Sequence, residues 1–116
     1  MKVVRNNFIP FKGFAAINLF GILFVRKDAA INNVTLNHER IHTHQMREML
    51  YLPFYAWYLI EWLVRLTLPG NTYRNVSFER EAYAQQYDLS YLSRRKPYDW
   101  LKYIRLHKTK NKEGQQ

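Results

Sequence analysis

The chain has 116 residues, 47% apolar and 16% aromatic, enough for one packed core; wholesale disorder is excluded. It has no cysteine, which excludes disulfides, thiolate metal sites and a cysteine nucleophile, so any metal must be held by His, Asp or Glu. The formal charge is +9, and residues 94–116 hold eight basic against two acidic groups. A cationic C-terminal region can meet anionic lipid, nucleic acid or acidic protein, or simply keep the chain soluble.

The first residues (MKVVRNNFIPFKGF) include basic groups but no uninterrupted apolar run and no small-residue cleavage pattern, so no signal peptide is expected. Together with the lack of cysteine this suits a cytoplasmic protein. Phe14 to Val25 is apolar and rich in β-branched and aromatic residues, and reads as a strand kinked or bulged at Gly21. Arg26-Lys27-Asp28 reads as a turn, and Ile31 to Leu36 as a loop or a second short strand.

Asn37 or Thr35 can cap a helix that starts near Leu36 and runs to about Leu52, where Pro53 disfavours continuation. A second helix is expected from Phe54 to about Leu68, ended by Pro69-Gly70-Asn71. A third is expected from Phe78 to about Ser93, and a last one from Tyr98 to about Leu106, with Pro97 in its first turn. The class is therefore α+β and mostly α-helical, with a small N-terminal β-hairpin or sheet. One domain is expected over residues 1–106, followed by a frayed basic polar tail over residues 107–116.

Residues 49–68 (MLYLPFYAWYLIEWLVRLTL) approach the ~20 apolar residues of a bilayer span. Pro53, Glu61 and Arg65 argue against a lone span. Tyr51, Tyr55, Tyr58, Trp62 and Arg65 fall on one helical face, which suits either a core helix or a helix lying at a membrane interface.

The chemistry concentrates in His38-Glu39-Arg40-Ile41-His42, an H-E-x-x-H pattern on a predicted helix. Residues i and i+4 stack on one face, so both imidazoles reach one ion, and Glu39 can reach a metal-bound water without being a ligand. Zinc suits two neutral imidazoles and leaves room for a third ligand and a water. His44 lies on the wrong side of the helix. Gln45 shares the ligand face and can support a ligand from behind, although an ordinary surface amide is the plainer reading. The third ligand is expected from Glu79 or Glu81, which point in nearly opposite directions, so only one faces the ion.

HERIH followed by EREAY resembles the gluzincins, zinc metallopeptidases with H-E-x-x-H on one helix and a glutamate ligand on a later one. The resemblance is specific at the two motifs and loose across residues 14–88. It implies a minimal zincin-like helix bundle, ligand roles for His38, His42 and Glu79 (with Glu81 as the alternate), and the general-base role for Glu39. It implies zinc as cofactor and a peptide or protein substrate. Tyr83 stands where several gluzincin lineages place an Asp that orients a ligand histidine; Asp88 or Asn37 is a candidate for that task. The resemblance extends to membrane-associated zinc peptidases, in which hydrophobic helices separate the two motifs, and this favours contact with the inner face of the membrane through residues 49–68 and the basic C-terminus. An oxyanion donor is also required, and Tyr73, Tyr83, Tyr87, Arg80 and His107 are all conceivable.

Two other readings compete. One keeps the metal without catalysis. The other is a basic module for nucleic acid or anionic lipid, built on Arg94-Arg95-Lys96 and residues 102–112, for which no recognised nucleic-acid-binding signature is present.

Overall fold

A computed structural model describes residues 1–10, 12 and 14–104. The expected tail, the end of the last expected helix and His107 lie outside the described residues. The fold is a small α+β arrangement: a three-stranded sheet from the first 26 residues, then three helices and two short 3-10 turns.

The expected single strand is a hairpin. β2 (Ala16–Leu19) and β3 (Ile22–Arg26) pair antiparallel across Phe20 and Gly21. Both turn residues have positive φ, 54° and 86°, as a tight two-residue hairpin turn demands. Gly21 is therefore the turn rather than a kink. β1 (Lys2–Asn6), which the sequence reading left unassigned, pairs parallel with β3, giving the order β1-β3-β2. β3 is central, and its alternating Leu23 and Val25 are fully buried. β2 and β1 are the edges.

α1 spans Asn33–Glu48 and begins three residues earlier than expected, because Asn32 is its cap and accepts from the Thr35 amide at 2.8 Å. Asn37 lies inside the helix instead. The helix stops at Glu48 because Leu50 and Tyr51 adopt positive φ, 58° and 67°. α2 then starts at Leu52 and runs to Leu66, with Pro53 in its first turn, where the missing N–H costs nothing. Pro53 thus opens the second helix rather than closing the first.

α3 (Ser77–Gln85) is shorter than expected, and Tyr91–Ser93 forms a separate 3-10 turn. The Asn37 amide explains the stop: it donates to the carbonyls of Gln85, Gln86 and Asp88 at 3.3, 2.8 and 3.0 Å, satisfying the end of α3 from α1. The last element is a 3-10 turn at Asp99–Tyr103. Met46, Phe54, Val76, Phe78 and Trp100 form the main core cluster between the helices and that turn, and Ile41, Ala82 and Tyr91 form a second one.

α2 is organised inside out. Its buried residues are Phe54, Glu61 and Arg65, and Tyr58 shares their stripe. Glu61 is inward for a clear reason: its carboxylate accepts from the Ser77 amide at 2.8 Å, from the Ser77 hydroxyl, and from Trp57 Nε1 at 2.7 Å. It thereby caps α3, whose own preceding residue, Val76, offers no side-chain acceptor. Among the described residues no helix is long and apolar enough to cross a membrane.

Candidate metal centre

α1 and α3 cross so that three ligand atoms converge. His38 Nε2 and His42 Nε2 are 3.2 Å apart, and each is 3.1 Å from Glu79 Oε1. All three residues are buried. A tetrahedral zinc with bonds of ~2.0–2.1 Å needs ligand atoms about 3.3 Å apart, so the spacing suits that ion. Glu81, the alternate, faces away. It is fully buried and bound by Tyr91, Gln45 and Arg95. Arg95 also bridges to Glu48 at 2.8 Å, so its charge is satisfied by two acids. His44 is exposed and takes no part.

The protons around the site are assigned by its neighbours. Gln45 donates its amide to the Phe78 carbonyl and to Glu81 Oε1, at 3.0 and 2.9 Å. Its oxygen must then face His42 Nδ1, 2.8 Å away, and that nitrogen carries a hydrogen. His38 Nδ1 lies 2.8 Å from Gln86 Oε1 and donates in the same way. Both Nε2 lone pairs are therefore aimed at the shared point. Gln45 is no surface amide but fully buried, and Gln86 does the work that Asp88 or Asn37 was expected to do. Asp88 instead pairs with Arg94 and Ser90. Gln86 had only a weak sequence signal: it lies seven residues after Glu79, two helical turns along the same face.

Three acceptors cannot sit this close without a cation between them, be it a metal or a proton. In the metal-free state a proton takes that place. Burial opposes charge on His42, yet the Glu79 carboxylate overrides it and pushes the imidazole pKa up to about 9. Burial likewise opposes ionisation of Glu79, but His42 and His38 hold its carboxyl well below the usual range. The second carboxylate oxygen accepts from the Tyr58 hydroxyl at 2.9 Å.

One side of the site opens into a cleft of about 370 Å³. Glu39, His42 and Glu79 line it, together with Tyr58, Tyr73 and all four residues of the β2 edge strand. Glu39 is half-buried. Of the described oxyanion candidates only Tyr73 reaches the cleft. The Tyr83 ring packs edge-on against His38 at 4.6 Å, Arg80 is buried and donates to Asn75, and Tyr87 points to solvent. Burial and the Glu79 charge push the Tyr73 hydroxyl far above the usual phenol range, so it stays a proton donor.

Within the basic stretch Arg94 pairs with Asp88 and Arg95 with Glu48 and Glu81; residues 105–112 lie outside the described residues. No protein-family model, curated protein or solved structure matches this chain. The gluzincin resemblance therefore rests on the two motifs and the geometry that joins them.

Proposed function

We propose that the protein is a zinc-dependent hydrolase of the gluzincin type that cleaves peptide bonds. The observation that carries this reading is the convergence of two lone-pair-bearing imidazole nitrogens and one carboxylate oxygen on a single point at the wall of a cleft. Two glutamine contacts, one buried and one half-buried, select the histidine tautomers that a metal requires, which a chance cluster has no reason to do.

Zinc held by His38, His42 and Glu79 would lower the pKa of a bound water toward ~7 and polarise a substrate carbonyl. Glu39 takes the water proton and passes it to the leaving amine, so the carboxylate is regenerated in each turnover. Tyr73 donates to the oxygen that gains charge as the carbonyl is attacked. β2 offers an unpaired backbone edge along the cleft, suited to an extended peptide.

Metal analysis of protein purified without chelator tests this. One zinc per chain is expected, with Glu39→Gln keeping the zinc and losing hydrolysis of a mixed peptide library. Wild-type protein without zinc removes the reading. Zinc without hydrolysis in the wild type leaves the reading of a silent metal domain, which the open cleft side of the site disfavours.

A further inference from the structure

The outward side of α2 is unlike a solvent-facing helix. On a wheel of ~100° per residue, Phe54, Tyr58, Glu61 and Arg65 form one narrow stripe against the protein. Apart from Tyr55, which is half-buried against the core, the rest of the circumference is exposed, and from Leu52 to Leu66 it carries no charged side chain. Leu52, Leu59, Ile60, Leu63, Val64 and Leu66 are all at least two-fifths exposed. Water-facing surfaces of this size and continuity are uncommon.

Two features identify what covers it. First, Trp57 and Trp62, both less exposed than the aliphatic residues between them, flank the aliphatic arc, one at each of its edges. Indole rings at the margins of an aliphatic stripe match the headgroup boundary of a bilayer with the helix lying in the plane of the interface. Second, the chain is cationic, with a formal charge of +9. The Trp57 ring meets Trp100 at 6.2 Å, which places the Asp99–Tyr103 turn beside α2. That turn exposes Leu101 and the Lys102 side chain, and Ile104 follows. The sequence continues with Arg105, Lys108, Lys110 and Lys112 against one Glu113. A second copy of the chain would set +9 against +9 across a two-fold interface, whereas anionic headgroups complement the charge.

We propose that the outer face of α2 seats the protein in the interfacial layer of an anionic bilayer. The helix lies on the membrane rather than through it: its 15 residues fall short of a span and Glu61 holds its inner side to α3. This inference is independent of the metal reading.

The test is flotation of the full chain with vesicles of phosphatidylglycerol and phosphatidylcholine in equal parts, against phosphatidylcholine alone. Wild type floats with the anionic vesicles and far less with the neutral ones. Leu59→Glu/Leu63→Glu, both exposed positions away from the cleft, weakens partitioning at least about tenfold while keeping the circular-dichroism spectrum and the thermal unfolding transition. A readout without substitution guards against misfolding: brominated phosphatidylglycerol quenches tryptophan emission of the wild type on binding. Absence of flotation and quenching, equal flotation with neutral vesicles, or a double variant that folds and floats like wild type overturns the proposal. So does a wild-type dimer that the double variant dissolves while neither form floats, since that assigns the face to a second copy.

Discussion

Gln86 Oε1 lies 2.8 Å from His38 Nδ1, and this contact decides which nitrogen of His38 is free to act. Gln86 is half-buried at the end of α3, so it can be changed with little disturbance of the core. Gln86→Ala leaves His38 free to swap tautomers. Zinc affinity is expected to fall about 10–100-fold, as for other contacts that orient a ligand from behind. Competition with a chromogenic chelator measures it. An unchanged affinity would show that the His38 tautomer is set elsewhere.

The two glutamates of EREAY separate cleanly. Glu79→Ala removes the proposed third ligand and is expected to abolish zinc binding. Glu81→Ala leaves Arg95 buried with only Glu48 beside it and strips Gln45 of a partner. Breaking a buried pair of this kind costs about 3–5 kcal/mol. Chemical denaturation is expected to show a larger loss for Glu81→Ala, and zinc titration of whatever remains folded the larger loss for Glu79→Ala. The reverse pattern exchanges their roles.

Metal-free protein should show a distinctive pH dependence. The His42 pKa rises on folding from 6.5 to about 9. The stability it contributes is fully present below about pH 6.5 and is lost as pH rises through about 9. Glu79 is shifted the other way, so its contribution is present above about 4.5 and is lost as the pH falls below that value. Urea midpoints in chelator are therefore expected to be higher at pH 6 than at pH 9.5. Zinc inverts the alkaline trend, because ligation needs His42 neutral, and the stabilisation by zinc grows with pH over the same window. Equal midpoints for the chelated protein at both pH values would contradict the His42–Glu79 pairing.

Glu61 is expected to matter for folding more than its place in a hydrophobic segment suggests. Glu61→Ala orphans the Ser77 amide, the Ser77 hydroxyl and the Trp57 indole. A loss of about 3 kcal/mol follows from the unsatisfied donors. For a domain of this size that is a fall in Tm of about 12–24 °C, readable by calorimetry. Glu61→Gln keeps an acceptor for one of these donors and is expected to lose about half as much.

The juxtaposition of His38 and His42 is legible because it is local: residues one helical turn apart share a face of α1. Glu79 was legible as one of two candidates, since spacing alone says that Glu79 and Glu81 oppose each other without saying which faces inward. Gln45 is legible as a possible support for a histidine but not as a buried one, and Gln86 is not legible at all, because a buried amide and a surface amide look alike until their partners come together in space, as Phe78, Glu81 and the two histidines do here. A small N-terminal hairpin or sheet is expected from the sequence, but its turn inside Phe14–Val25 is not legible, because Phe20, an apolar aromatic, occupies a positive-φ turn position normally marked by Asn or Gly. The early stop of α3 was unreadable for a related reason: no Pro or Gly marks it, and the group that ends it, Asn37, is forty-eight residues upstream of Gln85. The α+β class survived these local errors because helix-period patterning dominates the chain.

The shortness of α3 orders events in time. Nine residues are too few for a helix to persist alone in water, where ~12–15 are marginal. The segment acquires its shape only when Glu61 arrives to cover its first turn. A newly made chain can therefore offer an ion the His38–His42 pair of the longer α1, but not the carboxylate. Tight capture of the proposed zinc would then wait until all three helices have docked, so that a bound ion would be a stamp of completed assembly rather than its seed.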